Sequence, residues 1–308
     1  MRFPRWLQVF GTLAVLTVVV WHIPIPKLLG AARTADVIWL LPALAVTLMM
    51  LTARHMKWHR LLRAAGLPIS EIDSLRSLLC GFALSVPTPG RLGELGRCLF
   101  LPENVRAQVF QLNILERALD GWAVFTYAVA SLMIVALRPF GIFAFAVWLA
   151  LLPVFMGLPA ILANLSKWKF LSASLRERLE TGSRGIKSVS ALPFAAWALL
   201  TTSLDIVIFY FLLQAFHRTD FTTILVVFPW MTIAGGLPIA VGGVGVREGV
   251  AAFLLARRAV PGAAAIDAAL LLFLFSAVLP AVTGGFWLLL RRLRGEPRTS
   301  LESALPDA

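Results

Sequence analysis

Long apolar runs almost free of charge alternate with short basic stretches along the chain. A helix that crosses a bilayer needs about 20 predominantly apolar residues. Six runs fit that pattern: 6–21, 37–53, 119–137, 140–163, 191–216 and 268–290. Arg2 and Arg5 precede the first run as they would in a signal peptide, but five further runs follow, so it reads as a retained span. Two other apolar stretches are interrupted. Residues 75–100 are broken by Pro87-Thr88-Pro89-Gly90, with Arg91, Glu94 and Arg97 just beyond. Residues 221–256 are broken by Gly235-Gly236-Leu237-Pro238 and by Gly242-Gly243-Val244-Gly245, followed by Arg247 and Glu248. Each half is too short to cross, and proline and glycine stop a continuous helix. Irregular backbone at membrane depth is tolerated only inside protein or along a wet cavity. Both stretches are therefore predicted to be re-entrant helical hairpins, giving an all-α polytopic membrane protein of six transmembrane helices and two hairpins.

Composition removes the soluble alternative. Of 308 residues, 59% are hydrophobic and 14% charged, against about 45–50% and 25% in soluble domains; the mean hydropathy is +0.84. A formal charge of +12 suggests nucleic acid in a soluble protein, but here the basic residues lie between apolar runs and point to a membrane surface instead. With the N-terminus placed in the cytoplasm, the cytoplasmic segments hold 17 Lys and Arg, Arg54 and Lys57 among them, and the opposite face holds 4. That asymmetry fits the positive-inside rule and predicts cytoplasmic termini. Cys80 and Cys98 form no disulfide framework or metal motif. His55 and His59 have metal-ligand spacing but stand among Arg54, Lys57, Arg60 and Arg63, which would repel a cation. No metal or cofactor is expected. Residues 167–187 read as an amphipathic cytoplasmic connector, and 295–308 as a short polar tail after a single membrane domain, 1–294.

The layout contains a repeat. A span, a hairpin and a span occupy about 36–137, and the same order returns over 191–290 in the opposite orientation. Interrupted segments at corresponding places in inverted halves point to a transport site near the midplane.

An ionisable side chain at membrane depth costs about 2.5–3.5 kcal/mol on insertion scales, so it is a functional candidate. The set is Arg91, Glu94, Arg97, Glu116, Arg117, Asp120, Asp205, Arg247 and Glu248, with four positive and five negative charges. A helix restarting after Gly90 would expose unpaired N–H groups and form an anion site, with Glu94 as a competing cap. Arg91 and Arg97 stand three residues either side of Glu94, within reach on one face. Gly243 and Gly245, with Gly242, would admit positive φ or a close approach to a ligand, or merely tight helix packing. Arg247 and Glu248, being adjacent, are expected to point apart and to find partners elsewhere. Glu116 and Asp120 repel at i,i+4 unless a nearby Arg or a raised pKa relieves it; Arg117 lies on the neighbouring face, free to pair with another helix. Asp205 has no basic neighbour within four residues and is either protonated or paired across helices. The competing reading of the whole set is a structural ion-pair network that locks the hairpins.

Three motifs carry a resemblance: Pro89-Gly90-Arg91-Leu92-Gly93-Glu94-Leu95-Gly96-Arg97, Glu116-Arg117-x-x-Asp120, and Gly242-Gly243-Val244-Gly245-Val246-Arg247-Glu248. In this order and hydropathy pattern they resemble the flippase-like membrane domain of the lysylphosphatidylglycerol synthase family, over about 40–290. The resemblance implies movement of a modified phospholipid between leaflets, or service in a hopanoid, glycolipid or prenyl-linked glycan pathway, in a bacterial inner membrane. No soluble aminoacyl-transferase domain follows Leu290, so lysyl-lipid synthesis is not expected. The reading is a transporter for a lipid with an anionic or sugar headgroup. The alternatives are a lipid-modifying transferase, with Glu94 and Glu248 as an acid–base pair, and a partner that localises a biosynthetic enzyme. Nucleic acid is not an expected partner.

Overall fold

A computed structural model describes residues 25–135, 138–164, 180, 183, 185–238 and 243–293. The expected span 6–21, Gly242, most of the connector 167–187 and the tail 295–308 lie outside the described residues. Those described are helical throughout, with no strand among them. The helices are α1 (Ile25–Thr34), α2 (Val37–Ala64), α3 (Glu71–Ser85), a 3₁₀ helix (Leu92–Phe100), α4 (Arg106–Val135), α5 (Arg138–Met156), α6 (Leu158–Asn164), α7 (Ala191–Gln214), α8 (Phe221–Gly236), α9 (Val246–Ala256), α10 (Gly262–Phe273) and α11 (Leu279–Leu293). A π-helical turn, Leu274–Val278, joins the last two.

Four helical stretches are long and apolar enough to cross a bilayer: Val37–Ala64, Glu103–Val135, Ala191–Gln214 and Gly262–Trp287. A fifth arises if α5 and α6, bent by 51° at Gly157, count together. These correspond to five of the six expected spans, with three revisions. The α2 helix continues to Ala64, eleven residues beyond the expected end. The α4 helix begins at Arg106, which puts Glu116, Arg117 and Asp120 well inside it. Residues 25–34, outside every expected span, form α1.

Both interrupted stretches break where proline and glycine predict. The α3 helix starts on Ser70, whose hydroxyl accepts the Asp73 N–H at 3.1 Å, and ends before Pro87. The α8 helix starts on Asp220, whose carboxylate accepts the Thr223 N–H at 2.9 Å, and ends in Gly235-Gly236 before Pro238. In each, the second limb packs against the first: the 3₁₀ helix on α3, and α9 on α8. The packing also crosses over between halves. The first limb α3 lies against α11, and the first limb α8 lies against α4. Between them α2 and α7 make the most extensive helix pair.

Two apolar clusters flank that pair. One gathers Trp58, Leu61 and Leu62 of α2 with Leu78, Phe82, Leu112, Leu115, Leu119 and Ala198. The other gathers Ala43 and Met50 of α2 with Ile206, Phe209, Ile224, Met231, Leu255 and Ala269. Along α2 the boundary falls between Met50 and Trp58, and along α7 between Ala198 and Ile206. Arg54, Lys57 and Asp205 occupy those boundaries.

Candidate functional site

The first tip is a tight turn. The Leu92 N–H donates to the Pro89 carbonyl at 3.2 Å, and both central residues, Gly90 and Arg91, have φ of +58°, as a mirror-image β-turn requires. Only Gly90 takes that conformation without steric conflict; Arg91 adopts it at a cost of about 1–2 kcal/mol. The next donors are used locally: Gly93 N–H goes to Thr88 Oγ1 at 2.7 Å and Glu94 N–H to the Arg91 carbonyl at 3.2 Å. This corrects the expected anion site at a bare helix start. The second limb is a 3₁₀ helix whose N-terminal N–H groups are already paired, so the positive charge here comes from side chains.

Those side chains converge on Glu94, which is 2% exposed. Its carboxylate lies 2.9 Å from Arg91 and 3.0 Å from Arg97, and it also pairs with Arg117. The Arg91 contact has ion-pair distance without hydrogen-bond alignment, and the Arg91 Nε–H is buried with no acceptor. Arg97 reaches onward to Glu116 at 2.5 Å. Lys57 of α2, 2% exposed, bridges Glu116 at 3.2 Å and Asp120 at 2.5 Å, which relieves the repulsion between those carboxylates. Asn113 Nδ2 donates to the Glu94 carbonyl at 2.7 Å, tying the 3₁₀ helix to α4.

Asp205 is not a lone carboxylate. Arg54 of α2 donates to it at 2.6 Å across the α2–α7 pair, which is the cross-helix pairing, one of the two alternatives. The expectation for Arg247 and Glu248 also fails. Glu248 turns back over its own helix start to accept the Gly245 N–H at 2.5 Å. The flexible Arg247 reaches the other carboxylate oxygen at 2.9 Å. Adjacent residues meet here because one of them folds back as a cap. The Arg247 guanidinium lies 5.3 Å from the Phe273 ring centre, and its Nε–H is buried without an acceptor.

Gly243 has φ of +74°, and a Cβ there would come within 2.4 Å of the Gly235 carbonyl oxygen. Its glycine therefore serves the close packing of the chain on itself. Gly245 also has positive φ, but a Cβ there would meet open space.

The tips touch each other. A Cβ on Gly90 would lie 3.0 Å from the Gly236 carbonyl oxygen and 3.4 Å from the Pro238 Cα. Beside this contact the Arg54 and Arg91 guanidiniums each stand 5.9 Å from the Phe82 ring centre. The charged residues singled out from the sequence thus fall into one large network and two separate pairs. Two residues join that the sequence reading placed in a cytoplasmic loop, Arg54 and Lys57. With them the tally becomes six basic and five acidic groups, an excess of one positive charge where the sequence suggested one negative. Among the described residues, no group of three or more His, Cys, Asp or Glu side chains is placed to hold a metal ion.

Residues 5–284 match the family described as lysylphosphatidylglycerol synthase TM region. The chain belongs to that family. No curated protein and no solved structure matches it. Membership makes the protein an integral membrane protein tied to lipid biosynthesis or transport. In this lysylphosphatidylglycerol synthase-type membrane region, the residues missed from sequence were readable in one respect. Met50, Ala53, Lys57 and Leu61 recur at helical spacing, and all four are buried. That stripe passes through Lys57 without a break, where hydropathy alone ends the span.

Proposed function

We propose that the protein transports a lipid between leaflets, its phosphate-bearing or glycosylated head passing through the meeting point of the two broken segments. The carrying observation is the contact of the tips at Gly90 and Gly236, beside guanidiniums on Arg91 and Arg247 that keep buried N–H groups without acceptors. A buried donor lacking a partner costs about 1–3 kcal/mol, and a ligand oxygen removes that cost.

Two further features support the reading. The crossed packing of α3 on α11 and α8 on α4 is what an inverted repeat produces, with each hairpin held by the other half. Rocking one half against the other then opens the tip contact to one side at a time. The boundary between the two apolar clusters puts the charged groups mid-way along α2 and α7, as a midplane site requires. In this reading α3 with the 3₁₀ helix and α8 with α9 are re-entrant from opposite faces of a bacterial inner membrane, and both termini are cytoplasmic.

The test is leaflet exchange of labelled lipids in proteoliposomes. Arg91→Ala and Arg247→Ala should each slow exchange at least about tenfold while leaving expression intact. Full rates in both variants would remove the site assignment. Covalent turnover of the labelled lipid without exchange would favour a transferase.

A further inference from the structure

The charge excess at the tips has a consequence for selectivity. All five carboxylates in and around the site already face cations. Glu94 meets three guanidiniums, Glu116 meets Arg97 and Lys57, Asp120 meets Lys57, Asp205 meets Arg54, and Glu248 meets Arg247. Six cations against those five anions leave one positive charge unbalanced. Arg91 stands among these charges: its guanidinium lies 2.9 Å from Glu94 and, like that of Arg54, 5.9 Å from the Phe82 ring centre. Burial in an apolar surround makes an uncompensated charge expensive, and a bound opposite charge relieves it.

We infer that the site selects lipids whose headgroup carries a single net negative charge, a phosphodiester with no compensating cation, over zwitterionic, neutral sugar and cationic heads. The inference rests on the reading that a headgroup enters at the tips. A phosphodiester brings one negative charge and oxygen acceptors for the buried Nε–H groups of Arg91 and Arg247. A neutral sugar can accept the same hydrogen bonds but leaves the excess charge in place. A zwitterion returns a positive charge to a site already holding one too many, and a cationic head raises the excess further. Asp205 Oδ1, buried without a donor, can accept from a hydroxyl on the same head. The Phe82 ring lies 5.9 Å from both the Arg54 and the Arg91 guanidiniums, each of which is only partly exposed.

The experiment separates binding from transport. Detergent-solubilised full-length protein is titrated with dioctanoyl lipids bearing a phosphoglycerol, phosphocholine, glucosyl or lysylated phosphoglycerol head, each displacing a fluorescent lipid. Leaflet exchange is measured for the long-chain versions. The phosphoglycerol lipid should bind at least about tenfold tighter than each of the others. Arg247→Gln equalises the charges and should reduce its preference over the glucosyl and phosphocholine lipids to about twofold or less. Equal or stronger binding of the phosphocholine, glucosyl or lysylated lipid by the unaltered protein overturns the inference. So does a preference that survives Arg247→Gln unchanged. Selective binding without exchange of any lipid supports the inference and sinks the transport reading. Exchange without binding preference does the reverse.

Discussion

The two broken segments share a sequence plan and differ in what holds them. Each begins on a capped helix, breaks at glycine and proline, and resumes with an arginine and a glutamate. The first tip is cross-linked to the rest of the protein by charge: Glu94, Arg97 and Arg117 connect it to α4, and Glu116 and Lys57 carry the network on to α2. Among the described residues, the second tip has only a local pair, Arg247 with Glu248, beside Gly243 and Gly245. Beyond it, α9 and α10 pack through Ala251, Ala265, Ala268 and Leu271, all fully or nearly fully buried. The same punctuation is therefore stabilised electrostatically in one half and by apolar packing and close backbone approach in the other. The second tip, with fewer cross-helix bonds, is the one that needs less broken to move.

That contrast is most directly attacked at Glu94. Removing it takes the shared anion from buried Arg97 and from the partly exposed Arg91 and Arg117. Glu94→Ala should cost about 3–5 kcal/mol, read as lost thermal stability in detergent. Glu248→Ala removes a helix cap and one partly buried pair, and should cost about 1–2 kcal/mol. A Glu248 variant as damaging as the Glu94 variant would erase the distinction between the tips. Gly243→Ala meets both a positive φ and the Gly235 carbonyl, and should cost about 2 kcal/mol or more. Gly245→Ala meets open space but keeps a φ of +90° with ψ of −49°, outside the left-handed helical region, and should cost about 1–3 kcal/mol from backbone strain alone. The smallest effect is expected between the halves: a double-mutant cycle on Arg54 and Asp205, both partly exposed, should give a coupling of about 1 kcal/mol. A coupling above that of Arg97 with Glu116 would move the main electrostatic link from the first tip to the α2–α7 pair.

Much of this was legible in the sequence because it depends on short-range chemistry. Hydropathy marks the long helices, and Pro87, Pro89, Gly235 and Gly236 mark the breaks. The three-residue spacing around Glu94 gives two of its ion pairs. What the sequence hid depends on tertiary contact. Arg54 and Lys57 follow the last apolar residues of their run, so composition assigns them to a loop. In the fold the helix continues for another turn and more, and they turn inward to Asp205, Glu116 and Asp120. Arg247 and Glu248 were misread because the i,i+1 rule describes a helix interior, and these residues sit in a first turn where a carboxylate folds back. The 3₁₀ form of Leu92–Phe100 was equally hidden, since it follows from Thr88 and Pro89 capturing donors that an α-helix would have left bare.

One contact has a wider consequence. Gly90 meets Gly236 and Pro238 through main-chain atoms, so the seam between the halves does not depend on which side chains surround it, provided that Gly90 stays small. Residues around the seam can then drift in charge and size over evolution while the junction itself persists. A junction with that property tolerates substitution all around it.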